Sequence, residues 1–268
     1  MLKVTHNAGF FSCCSVRLEQ IVNYLNNQRI LPEVVDSSQQ FHLYKNKKYD
    51  CDNENEVVFE FFEHYNKIDC LIEFNKPITI NNMCFQFDNY KKVNFTYINP
   101  FIKKYFTPSL YIQNISNELI KKYHIDINNC VAIYYRGTDK KQETELGSFD
   151  TYYEKLKEIL KIKNNLSILI QTDSSDFLNY MVDKLKNFNT SNQIIIISEN
   201  TTSSTDKGIH NEKKRSENFE DMKILLASFL IISKCKYIIC SSGNCSIWMM
   251  FFRGNANNVY QNLNREWL

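Results

Sequence analysis

From residue 108 to residue 260 the sequence alternates between short, unbroken apolar runs and longer amphipathic segments, and this alternation restricts the fold more than any other feature. The runs at 130–135, 166–172, 193–198 and 236–241, with a short one at 258–260, are strand candidates; Ile194-Ile195-Ile196-Ile197 and Ile168-Leu169-Ile170 are the plainest. Between and after them the periodicity predicts helices over 150–162, 174–187, 217–233 and 244–252. Another, over 110–123, precedes them and carries Leu110, Ile112, Ile115, Leu119 and Ile120. Strands alternating with helices of this length imply a parallel sheet of doubly wound type. Continuous apolar strands fit a sheet covered on both faces.

The amino-terminal third is less regular. Leu2 to His6 is β-prone and runs into Asn7-Ala8-Gly9-Phe10-Phe11-Ser12, after which Val16, Ile21, Val22 and Leu25 recur at near-helical spacing. Strand, glycine-containing loop and helix form the opening of an α/β unit. A second strand is predicted over 33–38, after Pro32. Beyond it the charged segment 45–56 gives way to aromatic runs at 57–62, 69–74 and 83–87. The expectation is a small, irregular lobe over 1–107 and a regular α/β lobe over 108–268.

Composition narrows the function classes. The 268 residues include only 6 Gly and 4 Pro, where average usage gives roughly 19 and 13, so linker-rich, collagen-like and low-complexity readings fall away. A net charge of +2 leaves no electrostatic footprint for nucleic acid or an anionic membrane. No apolar run approaches the roughly 20 residues of a spanning helix; the longest, 224–232, is interrupted by Ser228. The first residues lack the pattern of a signal peptide. Nine cysteines without a C-x-x-C unit read as buried thiols in a reducing compartment, so the expected location is cytoplasmic. His6, His42, His64, His124 and His210 show no metal-ligand spacing, and no G-x-S-x-G elbow occurs. No metal or resident cofactor is expected.

In open α/β sheets, ligands bind beyond the carboxyl ends of the strands, and four such positions stand out. Tyr134-Tyr135-Arg136-Gly137-Thr138-Asp139-Lys140-Lys141 places an arginine at a strand tip, where its fork of donors suits a phosphate; a surface arginine paired with Asp139 or Glu143 is the competing reading. Thr172-Asp173-Ser174 reads first as a helix N-cap, with Asp173 reaching a ribose or base as the alternative. Ser241-Ser242-Gly243-Asn244-Cys245-Ser246 opens a helix whose free amides suit an anion, and it reads equally as a plain capping loop. The loop at Gly9 and Phe10 lacks G-x-G-x-x-G, and no P-loop pattern is present.

Val131 to Lys140 resembles the first signature motif of the fucosyltransferase superfamily, H-x-R-x-x-D, in the version continuing T-D-K in enzymes that core-fucosylate N-glycans. The resemblance continues through Thr172-Asp173, Gly208-Ile209-His210 and the final Ser-rich loop and helix, and it covers roughly 108–260. It implies a GT-B-like α/β fold of two Rossmann-like lobes, the carboxy-terminal one doubly wound. It also implies a GDP-fucose donor and a glycan acceptor. Carried over, Arg136 would bind the donor's β-phosphate and Lys140 would help neutralise the leaving diphosphate. Asp173 would lie near the nucleotide, and Ser242, Gly243 and Asn244 would contact the diphosphate or fucose. Gly9, Phe10, Tyr134, Gly137, Asp139, Thr172, His210 and Ser241 complete the expected donor site. The motif's histidine is Tyr134 here, and an acidic residue on the last long helix is Ser228, which leaves the identity of the base open.

The expected chemistry is an inverting, metal-independent glycosyl transfer. Arg136 and Lys140 would stabilise the departing diphosphate; Glu145 or Glu143, with Asp139 third, would take the acceptor's proton. The alternatives are a non-catalytic nucleotide- or glycan-binding protein and a transferase using another nucleotide sugar. Five of the six glycines, Gly9, Gly137, Gly147, Gly208 and Gly243, point toward one cleft.

Overall fold

A computed structural model of the chain describes residues 1–46, 57–63, 77–80, 84–140, 143–188, 192–205 and 207–268. The amino-terminal unit opens with β1 (Leu2–His6), α1 (Phe10–Gln28) and β2 (Val35–Gln40), the two strands pairing in parallel. The short helix α2 (Val58–Phe61) and then α3 (Phe95–Tyr105) and α4 (Leu110–Lys122) lead into the second unit. There β3 (Cys130–Tyr135), α5 (Phe149–Ile162), β4 (Ser167–Thr172), α6 (Ser175–Asn187) and β5 (Ile194–Ile196) follow in turn. The chain continues through α7 (Ile209–Glu212), α8 (Arg215–Lys234), β6 (Tyr237–Ser241), α9 (Asn244–Arg253), β7 (Val259–Leu263) and β8 (Glu266–Trp267).

Local sequence explains many of these boundaries. Ser109, Ser148 and Ser174 cap α4, α5 and α6, each hydroxyl accepting an otherwise unpaired helix amide. Gly254 ends α9 in the left-handed conformation. Helix α8 is apolar nearly all round over its middle turns and is correspondingly buried.

The large sheet has the order β5-β4-β3-β6-β7-β8, with every pair parallel except β7–β8. The chain winds outward from β3 through β4 to β5, then returns to lay β6 on the other side of β3. That reversal opens a crevice at the carboxyl ends of β3 and β6. Side chains along β3 alternate between two cores. Val131, Ile133 and Tyr135 pack with Tyr152, Leu156, Phe177 and Met181 of α5 and α6. Cys130, Ala132 and Tyr134 join a second core, continuous from α8 and α9 into α1 and α3.

Trp248 sits at the centre of that second core, fully buried, its ring 4.7 Å from Phe106 and 6.2 Å from Phe11. Burying large apolar side chains of this kind stabilises by roughly 1.5–3 kcal/mol each, and here the burial ties the amino-terminal unit to the large sheet.

The doubly wound sheet and its helices agree with the periodicity, with differences at the edges. The strand expected over 193–198 is confined to Ile194–Ile196, and the one expected over 33–38 is Val35–Gln40. Of the aromatic runs, 57–62 contains α2, and Phe62 bridges to Pro108. The run at 69–74, Met83, Lys141, His64 and most of the charged segment 45–56 lie outside the described residues. Helix α3 had no counterpart in the sequence reading because it carries Pro100 in its interior, a residue that normally ends a helix. The short strand expected over 258–260 is the start of β7, which extends to Leu263, whereas β8 and the hairpin turn have no counterpart in the periodicity; that turn places Asn264 and Arg265 at positive φ. Among the described residues no helix is long and apolar enough to cross a membrane. Cys13, Cys14, Cys84, Cys130, Cys235 and Cys240 are buried free thiols, while Cys245 is half-buried.

Candidate functional site

A cleft of about 640 Å³ lies at the carboxyl ends of β3 and β6, walled on the opposite side by the loop between β1 and α1. This volume is in the range of small-molecule sites. Strand β3 delivers Arg136 to the cleft floor, and β6 delivers Ser241 beside it, so that the Arg136 amide donates to Ser241 Oγ at 3.1 Å. The Arg136 guanidinium is only 17% exposed. Its Nη2 donates to both carboxylate oxygens of Asp139, at 2.8 and 3.1 Å, and its Nη1 lies 3.7 Å from Asp173. Burial disfavours the charged guanidinium, but the Cys245 sulfur, 3.9 Å from Nη1, and then the Asp173 and Asp139 carboxylates help to hold its pKa well above the ordinary arginine value.

Asp173 has a second duty. One carboxylate oxygen accepts from the Gly137 amide at 2.8 Å and the other from Thr138 Oγ1 at 2.8 Å, which locks the turn that carries Arg136. The cap of α6 is Ser174, not Asp173, with the Ser174 amide donating to Thr172 Oγ1 at 3.0 Å.

Lys140 Nζ meets Glu143 at 2.5 Å, and its aliphatic stem lies against Gly243. Gly243 has φ +147° and ψ 174°, a conformation that side chains rarely adopt, and it opens α9 without any side-chain cap. The first turn of this ten-residue helix, whose amides have no side-chain cap, therefore starts at the crevice, where Asn244 and Cys245 line it beside Arg136 and Lys140. Tyr90 braces the loop from below, its hydroxyl accepting from the Gly243 amide at 3.0 Å. Asn244 lines the cleft, its Oδ1 accepting from Ser15 Oγ at 2.7 Å. Ser241 and Ser242 lie beneath the floor, where Ser242 Oγ donates to the Asn262 carbonyl at 2.8 Å.

Several expected residues converge from elsewhere in the chain. Gly9 and Phe10 form the opposing wall, with the Phe10 amide donating to the Tyr44 hydroxyl at 2.9 Å. His210 and Thr172 line the same space, as does Tyr134, which is buried with its ring 5.1 Å from Phe229. Glu145 is not brought there: it is 66% exposed, pairs with Arg265 at 3.4 Å, and lines a separate, open depression with Gly147. The strand-end loop that carries both turns outward beside the β7–β8 hairpin, and Gly147 packs on Asn262. Glu143 borders both spaces. Among the described residues no group of three or more His, Cys, Asp or Glu side chains is placed to hold a metal ion.

No protein-family model matches the sequence, and no curated protein matches it. Among solved structures, NodZ alpha-1,6-fucosyltransferase soaked with GDP-fucose is similar over 97% of this chain and 94% of its own, with a TM-score of 0.53 and 9% identity. The chain has a fucosyltransferase-like fold. A mutant of Arabidopsis thaliana FUT1 in complex with GDP is similar over 64% of this chain, with a TM-score of 0.41 and 11% identity; the present chain spans 36% of that one. The GT-B-like α/β class expected from the sequence is the observed one, on the likeness to the NodZ structure.

Within this fucosyltransferase-like fold, the far end of the cleft holds residues that the sequence reading passed over. Asn200 Nδ2 donates to Gln171 Oε1 at 2.6 Å and to Ser228 Oγ at 2.9 Å, so Ser228 is part of the wall's hydrogen-bond network. Asp221, two helical turns before Ser228 on α8, lines the cleft and pairs with Lys213. A seven-residue step along one helix face was the available signal for Asp221. Ser12 comes with the Asn7–Ser12 loop already singled out, whereas His42 and Tyr44 have no local signal, because only packing brings them to the cleft.

Proposed function

We propose that the protein is an inverting glycosyltransferase that moves fucose from GDP-fucose to a glycan hydroxyl, with residues 108–268 as the donor lobe and 1–107 on the acceptor side. The observation that carries this reading is the meeting of Arg136, Lys140 and the uncapped start of α9 at the β3–β6 crevice. Such a constellation suits a diphosphate. The likeness to a structure soaked with GDP-fucose, over nearly the whole chain, supports the choice of nucleotide sugar.

In the proposed reaction the diphosphate displaces Asp139 from the Arg136 fork and takes its place. As the sugar–phosphate bond breaks, negative charge grows on the leaving oxygen. Arg136, Lys140 and the α9 amides meet that charge more strongly in the transition state than in the ground state, which is the condition for rate enhancement. Side chains and backbone supply the positive potential, so the proposal assigns no metal or cofactor a role. The nucleoside lies toward Gln171, Asn200 and Asp221, where amide and carboxylate groups stand beside apolar Met222 and Leu225. A cytoplasmic location belongs to the same proposal.

Thermal unfolding with GDP, ADP and UDP, followed by GDP release from GDP-fucose, tests the reading. A nucleotide at one hundred times its Kd stabilises by about 2.7 kcal/mol. Stabilisation by GDP alone, with turnover of GDP-fucose, is the expected result. A shift with ADP or UDP instead would redirect the donor assignment, and GDP binding without turnover would leave a binding protein.

A further inference from the structure

An inverting transfer needs a group to take the proton of the incoming hydroxyl, and in the structure each described carboxylate lining the cleft is paired with a cation. Among the described residues that line it, Asp139 and Asp173 are held by Arg136, Glu143 by Lys140 and Asp221 by Lys213. A carboxylate stabilised by a cation is a weakened proton acceptor.

His210 stands apart from these pairs. It lines the cleft from α7, with its backbone fixed by Asn218 Nδ2 donating to its carbonyl at 2.7 Å. Among the described residues its ring nitrogens take part in no hydrogen bond. The imidazole is seated where the two units meet: the Tyr44 ring centroid is 6.5 Å away, and His210 Cε1 lies 3.7 Å from where a Cβ on Gly9 would stand. A Cβ on Gly208 would lie 2.9 Å from both His210 Cε1 and Asp139 Oδ2, so the imidazole and the carboxylate both close on this glycine and a side chain there would push them aside.

We propose that His210 is the proton acceptor for the sugar-accepting hydroxyl. The inference rests on the glycosyltransferase reading above. In the step, the acceptor oxygen bonds to the anomeric carbon as the bond from that carbon to the phosphate oxygen breaks. The electron pair of the broken bond leaves with the diphosphate. The hydroxyl proton passes to a ring nitrogen of His210 and from there to solvent. Asp139, released from Arg136 when the diphosphate binds, is placed to stabilise the imidazolium.

The charged and titratable groups facing His210 are Arg136 and Asp139 from the strand-end loop and the Tyr44 phenol from the amino-terminal unit. Burial and then Arg136 lower the imidazole's pKa from 6.5, with Asp139 opposing them. The ring is therefore neutral near pH 7 and has a lone pair to offer.

The test compares the wild type with His210→Asn and His210→Gln, measuring GDP affinity and GDP release from GDP-fucose with water or lactose as acceptor across pH 5–9. Loss of a general base lowers the rate by roughly 10²–10⁴. The expected result is that loss in both variants with GDP affinity within about threefold of wild type. The acid limb of kcat/KM should vanish, and His210→Ala should recover rate on addition of imidazole. A variant that turns over within about threefold of wild type and keeps the acid limb overturns the role of His210 and leaves the glycosyltransferase reading intact. A wild type that binds GDP but releases none from GDP-fucose overturns both, as does one that binds none of GDP, ADP and UDP. Two variants guard against a folding defect in one of them.

Discussion

The indole Nε1 of Trp248 donates to the hydroxyl of Ser15 at 2.9 Å, across 233 residues of sequence. The same hydroxyl donates to Asn244 Oδ1 at 2.7 Å. One small side chain on α1 therefore satisfies a buried donor in the core and orients a residue at the start of α9. Ser15→Ala leaves the indole N–H unpaired in a dry core, a loss of about 1–3 kcal/mol. Urea unfolding should show it, together with weaker GDP binding because Asn244 is no longer held. Unchanged stability would show that water replaces the hydroxyl.

Arg136 binds through a fork that alanine cannot supply and lysine supplies only as a point charge. Arg136→Ala should slow GDP release from GDP-fucose by 10²–10³, on the order of 3 kcal/mol in the barrier, by analogy with removal of one oxyanion donor. Arg136→Lys should fall between. Steady-state kinetics decide this, and a near-normal rate in the alanine variant would remove Arg136 from the mechanism.

Gly243 combines φ +147° with a Cβ position 3.3 Å from Lys140 Cε. Gly243→Ala should cost on the order of 1–3 kcal/mol through backbone strain and displace Lys140. A lowered Tm accompanied by reduced GDP affinity is the expected pair of readings; a lowered Tm with intact affinity would separate the loop's shape from binding.

Stability should fall on the acid side in two stages. His210 has a folded pKa below its unfolded value, through burial and then Arg136. Above about 6.5 the group is neutral in both states, and stability declines as pH falls from there through the folded pKa, because the unfolded chain binds the proton more readily. Asp139, where burial raises the pKa but Arg136 and its hydrogen bonds lower it further, has a net value below the ordinary one. Its contribution is complete above about 3.9 and is lost as pH falls through the lower folded value. His6 and His42, also lowered by burial, add to the upper stage, and Asp36 and Glu199, also lowered, to the lower one. Urea titrations from pH 3 to 8 should therefore show the upper stage shrink in His210→Asn and the lower one shrink in Asp139→Asn.

Much of the large sheet is written locally. The run from Cys130 to Tyr135 is a strand as its apolar continuity predicts, and the serines at 109, 148 and 174 start helices as capping residues do. The carboxyl-end rule drew attention to Arg136 and to the Gly243 loop because strand tips and helix starts are properties of short segments. What local sequence leaves open is pairing. Only the strand order sets β6 beside β3, so that Ser241 meets the Arg136 amide. Tertiary packing alone turns Glu145 away toward Arg265 and hides Pro100 inside a helix. It also brings Gly9, Tyr44 and His210 together from three distant segments. Periodicity reports which face of a segment is apolar; which other segment covers that face depends on the packing of the whole chain, and the cleft is made there.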